Sequence, residues 1–209
     1  MPFRQVRCGC DEAGRGPVIG PMVIAVVCGD DSLLHKIGVK DSKKLSQKRR
    51  EYLFGEITKV SDSVDYTIVS EEEIDRAVLR NELNVLEARI ISRMIRQGME
   101  YVIDCPDVNE VRFSELLINL SGNHKIRAEH KADEKYPTVS AASIVAKVIR
   151  EREIDSIKAQ LGDFGSGYPS DKRTVDFLRS YYEKYQSLPS HVRRSWKTIN
   201  LITGTLDLY

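Results

Sequence analysis

Asp11 and Glu12 stand side by side where an apolar-alternating segment runs out, and Ala13-Gly14-Arg15-Gly16-Pro17 follows at once. Adjacent carboxylates offer oxygen ligands to a hard cation, and a Gly-Arg-Gly turn offers exposed backbone N–H groups and one guanidinium. A divalent metal and a phosphate chain are what such a set would hold together. The same residue types also build ordinary solvated turns. On this stretch alone both readings stay open.

Two further acids bear on the choice. Asp104 ends the brief apolar run Tyr101-Val102-Ile103, and Asp133 lies in the polar stretch from His130 to Pro137. If the segments that end at Asp11 and Asp104 are parallel neighbouring strands, their ends lie about 5 Å apart and both acids reach one point. Ligand sites in open sheets favour that edge, and Asp133 would approach it from the loop after a fifth strand. Carboxylates without a histidine–cysteine set suit Mg²⁺ or Mn²⁺ rather than zinc. Their mutual repulsion calls for a cation, or for one of them to stay protonated. Two ions about 3.5–4 Å apart would activate a water and stabilise the leaving oxygen of a phosphodiester. Taken singly, Asp104 equally suits a cap for the next helix, and Asp133 a surface loop.

The positioning elements follow from periodicity and punctuation. Arg4 to Asp11 alternates, with Val6, Cys8 and Cys10 on one face, and forms a first strand. Successive strand side chains point to opposite faces. Asp11 and Glu12 therefore share an ion only if the backbone turns between or just after them, as Gly14, Gly16 and Pro17 permit. Met22 to Cys28 is a continuous apolar run, a central strand, antiparallel to the first across a short connection. Asp31 to Ile37 makes a short helix, and Ser46 caps another that ends near Val60. Ser63 to Val69 is a third strand, and Ser70 with Glu73 forms a capping box. A break near Asn81 to Asn84 precedes a helix closed by Gly98, then the fourth strand Tyr101 to Asp104. A helix from Val108 to Leu120 stops at Gly122, and Lys125 to Glu129 is the fifth strand. The loop His130 to Pro137 leads to a long helix from about Val139 to Leu161, whose Ser140, Ala141, Ala142 and Ser143 are small enough for another backbone to approach. The loop Gly162 to Pro169 and two helices, Ser170 to Tyr185 and Ser195 to Ile202, complete the chain. The fold class is α/β, a mixed five-stranded sheet flanked by helices. Residues 1–160 are expected to form the main domain, and 161–209 a C-terminal helical extension covering its groove.

Composition narrows the setting. The 209 residues are 41% hydrophobic and 30% charged, with a formal net charge of +1, which suits a soluble core-forming chain. No run approaches the roughly 20 apolar residues of a membrane span, and no signal peptide is evident, so a cytoplasmic location is expected; the chain is also expected to be a monomer. Between Lys40 and Arg50, six basic residues (Lys40, Lys43, Lys44, Lys48, Arg49, Arg50) face one acid, Asp41. Such a patch suits a phosphate backbone, and equally one solvated helix face. Cys8, Cys10, Cys28 and Cys105 contain no CxxC pair and are expected to be reduced core thiols rather than disulfides or a zinc site.

Asp11-Glu12-Ala13-Gly14-Arg15-Gly16-Pro17, Gly20-Pro21, Asp41-Ser42-Lys43-Lys44-Leu45, Val102-Ile103-Asp104, His130-Lys131-Ala132-Asp133 and Ser140-Ala141-Ala142-Ser143-Ile144-Val145-Ala146-Lys147 together resemble type 2 ribonuclease H, ribonuclease HII. Gly165 to Asp171 and Arg193-Arg194-Ser195-Trp196 extend the resemblance to residues 4–200, and Asp107-Val108-Asn109 is similar to the archaeal branch. The resemblance implies a ribonuclease H fold and an endonuclease using Mg²⁺ or Mn²⁺. Its substrates are the RNA strand of RNA/DNA hybrids and ribonucleotides embedded in duplex DNA, cut to leave 3′-hydroxyl and 5′-phosphate ends. It implies metal-ligating acids at Asp11, Glu12, Asp104 and Asp133. Gly14, Arg15 and Gly16 would read the sugar 2′-hydroxyl and nearby phosphates, Tyr168 would pack on the ribonucleotide, and Lys43 would contact the phosphate near the scissile bond. The physics agrees: the 2′-hydroxyl tells RNA from DNA at a given site, and a glycine-flanked turn can approach it closely. His130 is expected to be a surface or structural residue, and Trp196 a core anchor for the C-terminal helices. Thr205-Leu206-Asp207-Leu208-Tyr209 resembles a truncated sliding-clamp-binding peptide, with Thr203 where a glutamine is usual. Other readings are a different two-metal nuclease of this fold, such as a junction resolvase, and a non-catalytic hybrid-binding protein.

Overall fold

The computed structural model describes residues 6–39 and 45–204. Five strands, β1 (Val6–Ala13), β2 (Met22–Asp30), β3 (Ser63–Val69), β4 (Tyr101–Asp104) and β5 (Ile126–Glu129), form one sheet in the order β3-β2-β1-β4-β5. β1 runs antiparallel to β2 and parallel to β4, and β4 runs parallel to β5. The expected mixed α/β sheet is therefore what the chain forms. The helices are α1 (Asp31–Ile37), α2 (Gln47–Val60), α3 (Glu71–Leu79), α4 (Leu83–Met94), α5 (Glu110–Ser121), α6 (Ala132–Lys135), α7 (Pro137–Leu161), α8 (Lys172–Tyr185) and α9 (Lys197–Thr203). Local chemistry sets their ends. Ser46 accepts the N–H of Arg49, Ser70 and Glu73 close a capping box, and Gly38 and Gly122 end α1 and α5 in the left-handed conformation.

The chain divides into two compact units. The first comprises Met1–Ala13, Val23–Ile68 and Asn84–Ile149; the second comprises Gly14–Met22, Val69–Leu83 and Arg150–Tyr209.

In the first unit the continuous apolar run of β2 is buried on both faces, and Val23, Ala25 and Val27 pack with Leu53 and Ile57 of α2 and Ala142 and Val145 of α7. A backbone does approach the start of α7 closely, but at Thr138 and Val139, and the residue that permits it is a glycine of β1. A Cβ on Gly9 would lie 2.2 Å from the backbone nitrogen of Val139, so only glycine lets β1 and the first turn of α7 meet. Gly9 and Asp11 share a face of β1, two residues apart. The helix that covers Gly9 thus lies on the side toward which Asp11 points.

Three expectations about this unit need correction. β1 does not end at Asp11: it pairs with β2 through Asp11↔Ala25, Glu12↔Ile24 and Ala13↔Val23, so both acids lie inside a strand and the turn begins at Gly14. The loop from His130 to Pro137 contains α6, and α7 opens at Pro137, a residue suited to a first helical position. Cys8 and Cys28 are not thiols. The β1–β2 register sets them directly opposite, with Cα atoms 4.0 Å apart, and their sulfurs are bonded. Cross-strand neighbours of this kind share a face, and the register that aligns them is invisible until the hairpin length is known. Cys10 and Cys105 are the free cysteines.

The second unit has its own core, in which Val18, Ile19, Ile154, Phe164, Leu178 and Ile199 are buried together. Ile19 bridges Val192 in antiparallel fashion, and the N–H groups of Val18 and Ile19 both bond to the carbonyl of Gly167. Phe164, Phe177 and Tyr181 pack in sequence as tilted rings, 5.9 and 6.1 Å between ring centres, which seats α8. No helix of the described residues is long and apolar enough to cross a membrane.

Candidate active site

Asp11 is 6% exposed, and its carboxylate accepts the N–H of Glu12 at 2.7 Å. Burial pushes its carboxyl well above the usual range, and the charges of Glu12 and Asp104 push it the same way. A hydrogen bond from Ser143 and the positive charge of Lys147 act in the opposite sense. Ser143 and Lys147 lie one helical turn apart on α7, and the ammonium donates to the Ser143 hydroxyl at 2.8 Å. A hydroxyl and a cation are therefore brought to Asp11 by the helix that rests on Gly9. Neither residue stood out in the sequence as part of a site. The available signal was a polar pair at i, i+4 in an otherwise small and apolar helical stretch.

Asp104 closes β4. The parallel register pairs Cys10 with Ile103, so Asp11 and Asp104 are the next residues of two adjacent strands. The Asp104 carboxylate does not cap the helix that follows it, because Asn109 caps α5. It accepts instead the N–H of Ala132 at 2.8 Å, at the start of α6. Asp133 is the next residue, and it is buried in that helix rather than exposed on a loop. Lys131, with φ of 55°, turns the chain from β5 into α6 to allow this. The sheet thus gathers Asp11, Glu12 and Asp104 within electrostatic reach and ties the start of the Asp133 helix to Asp104. Among the described residues, no three His, Cys, Asp or Glu side chains converge into a shell that could hold a metal ion.

The donor chemistry nevertheless fits a hard cation. Carboxylate oxygens of like charge crowd a buried aspartate, and the Ser143 hydroxyl and the Lys147 ammonium act against them. Softer ligation is disfavoured, since burial and the same acids hold the neighbouring Cys10 thiol well above its normal pKa and hence uncharged.

The segment after β4 is braced by a separate polar cluster. Asp107 receives both its oxygens' bonds from Arg112, at 2.5 and 2.6 Å, together with the side chain of Asn84 at 2.7 Å and the N–H of Asn109 at 2.9 Å. The Arg112 guanidinium holds the Asp107 carboxyl down at about 2. His130 lies against the Asp107 carbonyl at 2.7 Å and Glu110 at 3.2 Å, the structural role expected of it.

In the second unit, Gly14 has φ of 88°, and a Cβ there would lie 2.2 Å from Nε of Arg150 and 2.8 Å from the Pro21 carbonyl. Glycine is required on both counts. A Cβ on Gly16 would stand 3.5 Å from the Tyr168 ring, so Tyr168 lines the turn. The Arg150 guanidinium lies 5.9 Å from the centre of that ring. Gly14, Arg15, Gly16 and Tyr168 are thus brought together. Trp196 packs against the apolar core of this unit, as expected of an anchor, and its indole N–H also donates to the Gly16 carbonyl at 3.0 Å. Nothing in the spacing of the sequence marks Arg150 or Arg193 as neighbours of this turn. Lys43 and Thr205–Tyr209 lie outside the described residues.

Comparison with known proteins agrees over nearly the whole chain. The family model described as Ribonuclease HII matches residues 8–199. The ribonuclease HII of Thermoplasma volcanium is 50% identical over 205 residues, covering 97% of this chain and 95% of that protein. That of Pyrococcus furiosus is 50% identical over 205 residues, covering 95% and 91%. Among solved structures, the ribonuclease H2 of Pyrococcus horikoshii superposes with a TM-score of 0.88 at 42% identity, over 98% of this chain and 100% of that one. The ribonuclease HII of Archaeoglobus fulgidus, solved in complex with PCNA, gives 0.83 at 47% identity, over 97% and 100%. A ribonuclease HIII solved in complex with Mn²⁺ shares the fold, with a TM-score of 0.80 at 17% identity over 97% of this chain and 70% of that one.

Proposed function

The chain belongs to the ribonuclease HII family, and from that premise we propose how its residues divide the work of an endoribonuclease that cleaves RNA in RNA/DNA hybrids and at ribonucleotides embedded in DNA. The alternatives of a junction resolvase and of a non-catalytic hybrid-binding protein give way to the family.

Asp11, Glu12, Asp104 and Asp133 are the acids that would hold Mg²⁺ or Mn²⁺. The observation that carries this is the buried Asp11 carboxyl, set among Glu12 and Asp104 with Ser143 and Lys147 against it. Once bound there, the metal supplies an activated water and a counter-charge to the leaving oxygen of the phosphodiester. Lys147 and Ser143 hold Asp11 in orientation and partly offset its charge, so the carboxylate is available without a rearrangement of α7. The Gly14–Gly16 turn meets the ribose 2′-hydroxyl through backbone groups, with Tyr168 packed on the sugar and Arg15 and Lys43 facing phosphates. None of these contacts reads a base edge, so cleavage is expected without sequence preference.

The enzyme acts in the cytoplasm as a monomer. Its C-terminal Thr205–Tyr209 peptide binds a sliding clamp, as the PCNA complex of the Archaeoglobus fulgidus relative suggests. Deleting those five residues should abolish clamp binding; unchanged binding refutes that role.

The test of activity is a labelled DNA duplex carrying one ribonucleotide, incubated with Mg²⁺ or with Mn²⁺. Cleavage to 3′-hydroxyl and 5′-phosphate ends is expected. A duplex left intact under both metals overturns the reading.

A further inference from the structure

Arg193 is fully buried, 0% exposed, although it lies in a loop. Arginine is almost never buried so completely unless its charge is paired. Here the guanidinium is spent on backbone carbonyls. Nε donates to Gly20 at 2.9 Å, Nη1 to Arg15 at 2.9 Å and Nη2 to Gly14 at 2.6 Å. The Trp196 ring lies 4.9 Å from the same guanidinium, and its N–H donates to the Gly16 carbonyl. Three consecutive carbonyls of the Gly14–Gly16 turn are therefore held by two side chains of one short segment.

That segment is itself pinned. The N–H of Arg193 bonds to Val18, and Asp75 accepts the N–H groups of Arg194 at 2.8 Å and Ser195 at 2.9 Å. Burial, and then the nearby Arg150 charge, push Arg193 down to about 10, so it stays charged at neutral pH while its site works against that charge. Filling a core would not require a cation. A planar fork that grips several carbonyls at once does require guanidinium, and an ammonium cannot replace it.

The direction of the grip matters. In a trans peptide the carbonyl and the following N–H point opposite ways, and the described residues contain no cis peptide. Anchoring the oxygens of Gly14 and Arg15 on Arg193 aims the N–H groups of Arg15 and Gly16 away from it. We infer that Arg193, with Trp196, is a positioning residue for substrate selection, setting through the Gly14–Gly16 turn the donors that tell a ribonucleotide from a deoxynucleotide. This rests on the proposal that the turn meets the ribose.

The test compares Arg193→Lys, Trp196→Phe and Gly16→Ala with the native protein by fluorescence anisotropy without added metal. Two duplexes of one sequence are used, one carrying a single ribonucleotide and one all DNA, and thermal midpoints are recorded alongside. Arg193→Lys is expected to lower the ratio of the two affinities about tenfold, and Trp196→Phe about threefold, as befits misplaced hydrogen bonds to the sugar. A purely structural role would lower the midpoint and leave the ratio alone, and that result overturns the inference. Gly16→Ala tests the turn itself, because its methyl meets the Tyr168 ring at an ordinary 3.5 Å. If Gly16→Ala also keeps the native ratio, the turn is not the ribose reader. If Gly16→Ala loses it while the other two keep it, only the role of Arg193 fails. Should Arg193→Lys not fold, Trp196→Phe decides.

Discussion

The carboxylate of Asp104 accepts the backbone N–H of Ala132 at 2.8 Å, and Ala132 immediately precedes Asp133. One acid at a strand end thus anchors the helix that bears another. Asp104→Asn keeps an acceptor for that N–H and removes the charge, whereas Asp104→Ala removes both. Both variants should lose cleavage by a factor of about 100 or more, the scale on which an electrostatic contact to the reacting centre counts. Asp104→Ala should be less stable than Asp104→Asn by about 1–3 kcal/mol. Thermal melts that place the two variants together would show that the Asp104–Ala132 bond does not anchor α6.

Asp11 carries a sign that can be read without activity. Its folded carboxyl is raised by burial, Glu12 and Asp104. A raised pKa means that the folded form binds the proton more tightly than the unfolded chain does. The resulting stability is present at low pH and is lost as pH rises through the raised pKa. Metal-free protein should therefore gain thermal stability from Asp11→Asn at neutral pH, and the gain should vanish on acidification. Cleavage should be abolished in the same variant. Adding Mg²⁺ or Mn²⁺ should raise the midpoint of the native protein more than that of Asp11→Asn. A variant that is destabilised at neutral pH without metal would contradict the electrostatic account of this site.

Much of this arrangement is legible before any coordinates. Alternation in β1, the apolar run of β2 and the brief apolar β4 lead to a mixed sheet in which Asp11 and Asp104 sit on adjacent parallel strands. What could not be read depends on register and on distance along the chain. Cys8 meets Cys28 only because the hairpin closes with that alignment. Ser143 and Lys147 reach Asp11 only because Gly9 lets α7 settle on β1. Arg193 defies composition altogether: a cation in a loop suggests solvent, and its role emerges from carbonyls more than 170 positions away in sequence. The four α6 residues were hidden in a polar loop, because so short a helix leaves no periodicity to detect.

Asp107 makes the opposite pH statement. Its carboxyl is held at about 2, against an ordinary 3.8, by Arg112 above all. A depressed pKa stabilises the fold above the unfolded value and stops doing so as pH falls from about 4 to about 2. Asp107→Asn should lower the midpoint at pH 7, and the difference from native should shrink toward zero near pH 2. The exposed Arg112 side chain means that high salt should also narrow the gap. A difference that is constant from pH 7 to pH 2 would assign the loss to packing instead of charge.

The Cys8–Cys28 bond joins positions 20 residues apart in the chain. Closing a loop of that length removes enough freedom from the unfolded chain to stabilise the fold by about 3 kcal/mol. For a chain of this size that corresponds to roughly 6–12 °C in thermal midpoint. Because both cysteines are buried in the sheet, serine at either position would add a buried hydroxyl. Cys8→Ala/Cys28→Ala is therefore the cleaner comparison, melted beside the native protein with and without a phosphine reductant. The double variant should melt lower by that amount and be indifferent to reductant, while the native protein should fall toward it once its disulfide is opened. A thiol titration of the unfolded, unreduced chain should count two free cysteines, Cys10 and Cys105. A count of four, with no effect of reductant on the midpoint, would mean that the two strands are held by their hydrogen bonds and packing alone.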